Sequence, residues 1–174
     1  MVLGIRARRS CASGRLLHPA SKLAIVTQPL PAVPFGRDEI EAILPHREPF
    51  LLLDEVIELE PGRRVVARRE VREDDWWVPG HFPDRPVMPG VLIVEAMAQA
   101  GAVAVLVEEE NRGRIAFFAG IDDCRFKRIV SPGDVLTLTC EIDTVRGPIG
   151  RGKATAHVGE ELAARGTLTF AVER

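Results

Sequence analysis

The stretch over residues 91–107 constrains the fold more than any other part of this sequence. It is apolar or small at every position except Glu95 and Gln99. Pro89 precedes it, and proline suits the first turn of a helix, so we predict a helix over residues 89–109. A helix that is apolar on every side belongs in a protein core. The stretch is marginal in length for a membrane span and carries two polar groups, so we favour the core helix over a transmembrane one.

The segments around this helix have the pattern of β-strands. Residues 50–60 and the valine-rich residues 63–71 flank a Pro61-Gly62 turn, which predicts a hairpin. Because one face of a sheet must cover the helix, we predict an α+β fold in which about six antiparallel strands wrap around one long buried helix. A short helix opened by Asp38 is expected over residues 38–44. The remaining strands are expected as an antiparallel meander over residues 115–126, 134–145, 150–158 and 162–172.

The N-terminal residues 1–36 differ in composition from the rest of the chain. They contain no acidic residue but five basic ones, namely Arg6, Arg8, Arg9, Arg15 and Lys22. This composition resembles an organellar transit peptide, and the alternative is a flexible bacterial extension or a start codon placed too far upstream. We therefore assign the folded domain to residues 37–174. We expect a cytoplasmic protein, or an organellar one if residues 1–36 are a transit peptide.

The overall composition argues against several classes of function. A formal net charge of -2 argues against nucleic-acid binding, which favours a strongly basic domain. The three cysteines, Cys11, Cys124 and Cys140, are scattered and form no CxxC pair, as in proteins of a reducing compartment. None of the four histidines stands at a zinc-like spacing from a cysteine, so we predict no metal site.

Glu95 and Gln99 are the polar positions of the predicted core helix. They lie four residues apart and therefore share one helix face. Burial disfavours an ionised carboxylate, so we expect a raised pKa for Glu95, which would suit a general acid near neutral pH. The alternative is a purely structural Glu–Gln pair, and the residues alone do not separate the two interpretations.

His81 lies in a proline-rich loop over residues 72–88 that leads into the predicted helix. Histidine titrates near neutral pH and is suited to general base catalysis, although a loop histidine bonded to a carbonyl is the plain alternative. The free N–H groups at the helix start, around Gly90, could polarise a carbonyl. A base, an acid and such an oxyanion site are what removal of a proton next to a carbonyl, with loss of a β-hydroxyl, requires.

The loop and helix together carry a family resemblance. Residues 81–99 read HFPDRPVMPGVLIVEAMAQ. They closely resemble the signature of the bacterial 3-hydroxyacyl-[acyl-carrier-protein] dehydratase of type II fatty acid synthesis. The resemblance runs from about residue 37 to the end of the chain and implies a hot-dog fold. Further matches lie at residues 44–47, 49–52, 118–122, 125–128 and 132–134.

The resemblance also implies an activity and a site. The family converts a (3R)-3-hydroxyacyl thioester to a trans-2-enoyl thioester without a cofactor, in a homodimer whose active sites span the subunit boundary. His81 of one subunit would take the C2 proton, and Glu95 of the other would protonate the leaving hydroxyl. The Gly90 N–H would contact the thioester, the Val87 carbonyl would orient His81, and Gln99 would support Glu95. Trimers of dimers are common in the family.

The same resemblance implies an acyl carrier protein as the partner that delivers the phosphopantetheine-linked acyl chain. Acyl carrier proteins are acidic, so Arg125, Lys127 and Arg128 are candidates for docking it, the alternative being a solvated strand end. No nucleic-acid or membrane partner is expected. We assign no chemistry to His46 or His157, and expect His46 to cap local backbone.

Other functions remain open within this fold. One is a hot-dog thioesterase or a hydratase of coenzyme A esters, and another is a subunit that binds an acyl chain without turning it over. The presence of both His81 and Glu95 argues against the last. The related dehydratase–isomerase carries aspartate at the position of Glu95, which favours the general dehydratase. Glu48 and Asp84 depart from the family pattern but replace no proposed catalytic group.

Overall fold

The computed structural model describes residues 29–173, and most of the extension predicted for residues 1–36 lies outside them. The described chain contains two α-helices, one 3₁₀ turn at Glu109–Asn111, and six strands in one sheet. The elements are α1 (Arg37–Ile43), β1 (Glu55–Glu60), β2 (Arg64–Glu70), α2 (Gly90–Leu106), β3 (Ala116–Phe126), β4 (Val135–Arg146), β5 (Ile149–Val158) and β6 (Glu161–Val172).

All neighbouring strands are antiparallel, in the order β1-β2-β4-β5-β6-β3. The predicted hairpin of β1 and β2 is confirmed, and so is the meander of β4, β5 and β6. The prediction that β3 begins this meander is wrong, because β3 pairs with β6 at the far edge of the sheet. The two sides of β4 are taken by β2 and β5, so the chain crosses over between β3 and β4.

Helix α2 forms the centre of the core and packs chiefly on β4, β2 and β5. Within residues 92–106, every residue except Glu95, Ala98 and Ala102 is buried. Gly101 permits a close approach to the sheet, since a Cβ there would lie 2.8 Å from the Cys140 Sγ. In the described part of the chain, no helix has the length and apolar character needed to cross a membrane.

The helix boundaries differ slightly from those predicted. Helix α2 ends at Leu106, because the chain becomes extended at Glu108, before the 3₁₀ turn. The side chains of Asn111 and Arg112 donate to the carbonyls of Val105 and Val107 at this helix end. Helix α1 begins at Arg37 after Gly36, and no side chain caps it, so the prediction that Asp38 opens the helix is wrong.

Residues 50–54, expected as the start of the first strand, are not part of the sheet. Leu51, Leu52 and Leu53 are buried. The Phe50 and Leu51 N–H groups donate to the Arg47 carbonyl, and it is at Asp54 that a backbone N–H of this segment donates to a strand, at the Arg68 carbonyl of β2. The Leu52 N–H donates to the side chain of Gln99, and this replaces a strand pairing. The segment therefore lies against α2. At the start of β1, next to this segment, Phe35 pairs with Val56, so the packed region includes Phe35.

An ion cluster around Asp54 fixes the end of this segment. The carboxylate accepts hydrogen bonds from Arg37 (3.0 Å), Arg72 (3.1 Å) and the backbone N–H of Glu70 (2.7 Å), and buried Arg69 lies nearby. Burial is the largest single influence and raises the pKa of Asp54, but the bonds and the arginine charges together lower it below its usual value. The ionised carboxylate thus holds α1 and β2 together.

Candidate active site

Glu95 lies in the second turn of α2, where Gln99 holds it. The Gln99 Nε2 donates to the Glu95 Oε1 at 2.9 Å and to the Phe50 carbonyl at 2.8 Å, while its Oε1 accepts from the Leu52 N–H at 2.8 Å. The Gln99 side chain is buried. Because three bonds fix both ends of its amide, Gln99 ties the helix face that carries Glu95 to the segment over residues 50–52.

His46 also contacts Glu95, which the sequence reasoning missed. Its Nε2 lies 3.5 Å from the Glu95 Oε1, longer than an ordinary hydrogen bond, and both side chains are largely buried. The expectation that His46 caps local backbone is wrong, because Arg47 donates to the Leu44 and His46 carbonyls instead. The one available signal was the position of His46 inside the Leu44-Pro45-His46-Arg47 match.

The ionisation of Glu95 differs from expectation. Burial is the largest single influence and raises its pKa, but the contact with His46, the bond from Gln99 and the charge of His46 together lower that pKa below its usual value. The predicted raised pKa is therefore wrong for the single chain. The apolar surroundings of Glu95 can be inferred from the sequence and favour a raised pKa. The two donors that face the carboxylate lower the pKa, and their positions become known only from the fold.

Glu95, Gln99 and His46 line a narrow pocket of about 60 Å³ between α2 and the sheet. The other walls are predominantly apolar and suit a hydrocarbon chain. They include Phe117, Phe118, Cys140, Ile142, Leu168 and Phe170. The pocket therefore offers a carboxyl group to an otherwise apolar ligand.

His81 lies in an ordered loop before α2. Its Nδ1 lies 2.6 Å from the Val87 carbonyl oxygen, and its ring stacks on Phe82 with centroids 4.2 Å apart. The His81 N–H donates to the Trp77 carbonyl, and the Val87 N–H to the His81 carbonyl. Since a carbonyl can only accept, Nδ1 carries a proton, and Nε2 is the ring nitrogen that remains to act as a base.

Gly90 is the first residue of α2, after Pro89. As the first helical residue its N–H has no partner inside the helix, and no backbone carbonyl among residues 29–173 accepts from it. A Cβ at this position would lie 2.9 Å from the Phe126 ring, so a larger residue would push that exposed ring aside. The N–H is therefore available to an incoming carbonyl.

One chain does not bring all these groups together. Glu95, Gln99 and His46 line the pocket, whereas His81, Val87 and Gly90 are not among its walls. His81 and Val87 form a second group with Gly90 nearby in the chain, at the start of α2. In the described part of the chain, no group of three or more His, Cys, Asp or Glu side chains could hold a metal ion.

The three basic residues at the end of β3 differ in their exposure and in their hydrogen-bond partners. Arg125 and Lys127 are exposed, and Arg125 lines a surface pocket with Lys153 and Arg165. Arg128 instead donates to Asp134 (2.8 and 3.0 Å) and Glu161 (2.7 Å). These bonds raise the pKa of Arg128 and, chiefly through Arg128, lower that of Asp134. Arg128 therefore stabilises its own chain and is not a free cation.

Comparison with solved structures supports the architecture. The dehydratase heterocomplex ApeI:P from Xenorhabdus doucetiae superposes with a TM-score of 0.68 and 21% identity, over 78% of this chain and 91% of that one. Cj0977, a sigma28-regulated virulence protein from Campylobacter jejuni, gives 0.61 and 18%, over 78% and 89%. At these identities the likeness concerns the fold alone. The predicted α+β hot-dog fold is confirmed.

Sequence comparison identifies the family. The FabA-like domain model matches residues 44–167. A 3-hydroxyacyl-[acyl-carrier-protein] dehydratase FabZ from Bacillus cereus (strain AH187) is 58% identical over 135 residues, which cover 78% of this chain and 94% of that protein. The protein of the same name from Bacillus thuringiensis (strain Al Hakam) gives the same values. Identity at this level, over nearly the whole relative, means that this chain belongs to the FabA-like family as a dehydratase of the FabZ type.

Proposed function

We propose that this chain removes water from (3R)-3-hydroxyacyl-[acyl-carrier-protein] to give the trans-2-enoyl thioester of fatty acid elongation, with His81 as the base and Glu95 as the acid. The observation that carries the proposal is the bond from the His81 Nδ1 to the Val87 carbonyl, which occupies Nδ1 and makes Nε2 the ring nitrogen that can take a proton from the substrate. Glu95 supplies the complementary group, a carboxyl in an apolar pocket.

The elimination transfers two protons. The His81 Nε2 takes the proton from C2, and the electrons of that C–H bond form the C2–C3 double bond. The C3–O bond breaks, and protonated Glu95 gives its proton to the departing hydroxyl, which leaves as water. His81 then loses a proton to solvent and Glu95 gains one. No electron leaves the substrate, so the reaction needs no redox cofactor.

Glu95 must be protonated to act as the acid, although its pKa is lowered in the single chain. Burial is already the largest influence on this carboxyl, and it opposes ionisation. An acyl chain that fills the apolar pocket would expel water and strengthen that influence. Substrate binding would therefore favour the protonated carboxyl.

The Gly90 N–H is suited to bind the thioester oxygen. Removal of the C2 proton moves negative charge onto that oxygen, and an N–H at a helix start, supported by the helix dipole, stabilises such charge. The short loop between His81 and Gly90 brings base and donor to the same end of α2.

We propose that a second copy of the chain completes each site. The pocket that holds Glu95 lacks His81, so a substrate needs His81 from elsewhere. Strand β3 lies at the edge of the sheet, and its large apolar side chains Phe117, Phe118 and Ile121 are exposed. An apolar edge strand is a surface on which another strand pairs. The proposed homodimer would cover this edge.

The acyl carrier protein is the proposed source of the substrate. Arg125 and Lys127 are exposed cations that could meet its acidic surface. The intramolecular pairs of Arg128 argue against a docking role for that residue. Charge reversal at Arg125 and Lys127 should raise KM for carrier-bound substrate and leave KM for the coenzyme A ester unchanged. A cytoplasmic location stays a prediction.

Ultraviolet detection of the enoyl thioester tests the function itself. The chain is supplied with 3-hydroxybutyryl thioesters of the carrier protein and of coenzyme A, and free thiol is measured in parallel. Enoyl formation that is faster on the carrier protein supports the proposal. Thiol release without enoyl product would identify a thioesterase, and binding without either product would identify an acyl-binding subunit.

A further inference from the structure

The two donors that face Glu95 converge on one of its two oxygens. The Gln99 Nε2 donates to Oε1 at 2.9 Å, and the His46 Nε2 lies 3.5 Å from the same atom. No side-chain or backbone donor within residues 29–173 makes a hydrogen bond to Oε2. The two oxygens of this carboxyl are therefore inequivalent: Oε1 is held by Gln99 and His46, whereas Oε2 has no hydrogen-bond partner among residues 29–173, and Glu95 lines the apolar pocket.

The second nitrogen of the His46 ring, Nδ1, indicates which nitrogen donates to Glu95. The Nδ1 atom is buried and has no hydrogen-bond partner within the described residues. A proton on Nδ1 would be a buried donor without an acceptor, which is costly. A proton on Nε2 carries no such cost, because the Nε2–H faces the Glu95 carboxylate, so Nε2 is the ring nitrogen that donates.

We propose that His46 is a positioning residue for Glu95: its Nε2–H, together with the Gln99 amide, holds Oε1 and leaves Oε2 as the oxygen that delivers the proton to the leaving hydroxyl. The inference rests on the proposed role of Glu95 as the acid. In the protonated state a hydrogen on Oε1 would collide with two donors, so the hydrogen lies on Oε2, on the side of the carboxyl that the acyl chain reaches.

The long contact to His46 fits a site without substrate. Catalytic hydrogen bonds are often long in the empty enzyme and tighten once the substrate is bound. His46 follows Pro45 and directly precedes Arg47, whose guanidinium bonds to the Leu44 and His46 carbonyls. This local bonding fixes the backbone at His46 and lets its ring remain beside Glu95.

Few other ionisable groups face this pair. On the sheet side, the pocket contains the thiol of Cys140, whose pKa burial raises to about 12, so it stays neutral around neutral pH. On the α1 side, Arg47 is directed at backbone carbonyls and lies 3.5 Å from Glu41. In the proposed dimer, His81 of a second copy would be the remaining titratable neighbour. A pH effect of changing His46 therefore reports on Glu95.

A matched pair of variants tests the role. In His46→Gln the amide nitrogen can take the place of Nε2, whereas in His46→Asn the amide is one methylene shorter and falls on the side of Nδ1. The donor at position 46 lowers the pKa of Glu95, and burial raises it. Loss of the donor in His46→Asn should therefore raise the pKa of Glu95. The limb of the kcat/KM profile that Glu95 sets should move to higher pH while the other limb stays. The kcat should fall by about tenfold or more, since a misplacement of about 1 Å can cost about 10²-fold.

The His46→Gln variant should restore most of the position of that limb and most of kcat, because the hydrogen bond from His46 lowers the pKa of Glu95 more than the charge of His46 does. A profile that keeps its wild-type limbs in His46→Asn, whatever the loss of rate, would mean a merely structural role and overturn the inference. A limb that moves equally in both variants would overturn it too. If His46→Asn does not fold, His46→Leu serves as the variant without a donor. An unshifted profile in His46→Leu, or a shift equal to that in His46→Gln, would then overturn the inference.

The Glu95→Gln background separates this inference from the proposed function. If Glu95 is the acid, Glu95→Gln is inactive or nearly so, and adding His46→Asn should cause no further loss of the residual rate. An active Glu95→Gln enzyme would refute the proposed function and this inference with it. An inactive Glu95→Gln enzyme beside an unshifted His46→Asn profile would refute only the role of His46.

Discussion

The backbone N–H of Leu52 donates to the Oε1 of Gln99 at 2.8 Å, so a loop segment is bonded directly to the helix that carries the proposed acid. The same amide reaches the Phe50 carbonyl and the Glu95 carboxylate. Gln99 is thus both a structural link and a support for the site, and its loss should affect stability and activity together.

Gln99→Leu should therefore destabilise the protein and lower its activity. The substitution leaves the buried Leu52 N–H and the partly buried Phe50 carbonyl without their partner, at a cost of about 1–3 kcal/mol in free energy of unfolding. Urea unfolding measures this directly. Exposed Glu110→Gln, in the 3₁₀ turn that follows α2, is the control and should stay within about 0.5 kcal/mol of wild type. A Gln99→Leu protein as stable as that control would contradict the role given to the amide.

The two proposed catalytic residues should be needed for turnover and dispensable for folding. His81→Ala and Glu95→Gln should each lower kcat by about 10²–10⁴-fold, the range lost with a general base or acid. Enoyl formation is measured in the ultraviolet, and thermal unfolding confirms that each variant is folded. His157→Ala, which alters a histidine outside the site, should retain activity. Either catalytic variant that turns over at the wild-type rate would refute the assignment.

Asp54→Asn should destabilise the protein in a pH-dependent manner. Asp54 has a lowered pKa in the fold, so its ionised form contributes stability that is fully present above the unfolded value near 3.8 and is lost as pH falls through the lower folded value. The variant should be about 2–4 kcal/mol less stable at neutral pH, because its arginine partners lose a largely buried carboxylate.

Urea unfolding of both proteins across acidic and neutral pH measures this difference in stability. The difference between wild type and Asp54→Asn should begin to shrink below about pH 3.8, where Asp54 of the unfolded chain becomes protonated, and should reach its minimum once the folded carboxyl is protonated as well, at its lower pKa. Glu70→Gln, at an exposed pair with Arg72, is the matched control and should cost less than about 1 kcal/mol. A difference that does not vary with pH would contradict this role of Asp54.

Gly90→Ala should lower activity more than stability. The added methyl meets the Phe126 ring, whose side chain is exposed and can move aside, so we expect a loss of less than about 1 kcal/mol in unfolding free energy. The same methyl stands beside the N–H proposed to bind the thioester, and kcat/KM should fall by about tenfold or more.

The double variant Gly90→Ala/Phe126→Ala separates these two effects. Removing the ring should relieve the steric contact and leave the loss of activity in place. If activity returned together with stability, crowding by Phe126 would explain the effect of Gly90→Ala, and the N–H of Gly90 would have no role in binding the thioester.

The central helix and the hairpin were predictable because their signals are local. An apolar run broken only by Glu95 and Gln99 is stable in one location, the core. The alternating segments on both sides of Pro61-Gly62 pair with each other, because the turn between them is short. The position of β3 was not predictable in the same way. Which edge of a sheet a strand joins depends on pairing between distant segments, and β3 and β6 are separated by two other strands in sequence.

The chemistry of the site was only partly predictable. His81, Val87 and Gly90 lie close together in the chain, so a motif can relate them. His46 belongs to a different segment and reaches Glu95 only through the packing of residues 44–52 against α2. The predicted direction of the Glu95 pKa shift was wrong for the same reason. Burial, which raises the pKa, can be inferred from an apolar run, but the donors that lower the pKa cannot.

Mixing the two inactive variants tests most directly whether each site is shared between two copies. His81→Ala and Glu95→Gln chains are co-expressed so that subunits pair at random, and enoyl formation is measured. A mixed dimer would contain one site with an intact His81 from one copy and an intact Glu95 from the other, so activity should recover to about a quarter of the wild-type value. A mixture as inactive as its two components would mean that both residues must come from the same chain, and would contradict the account.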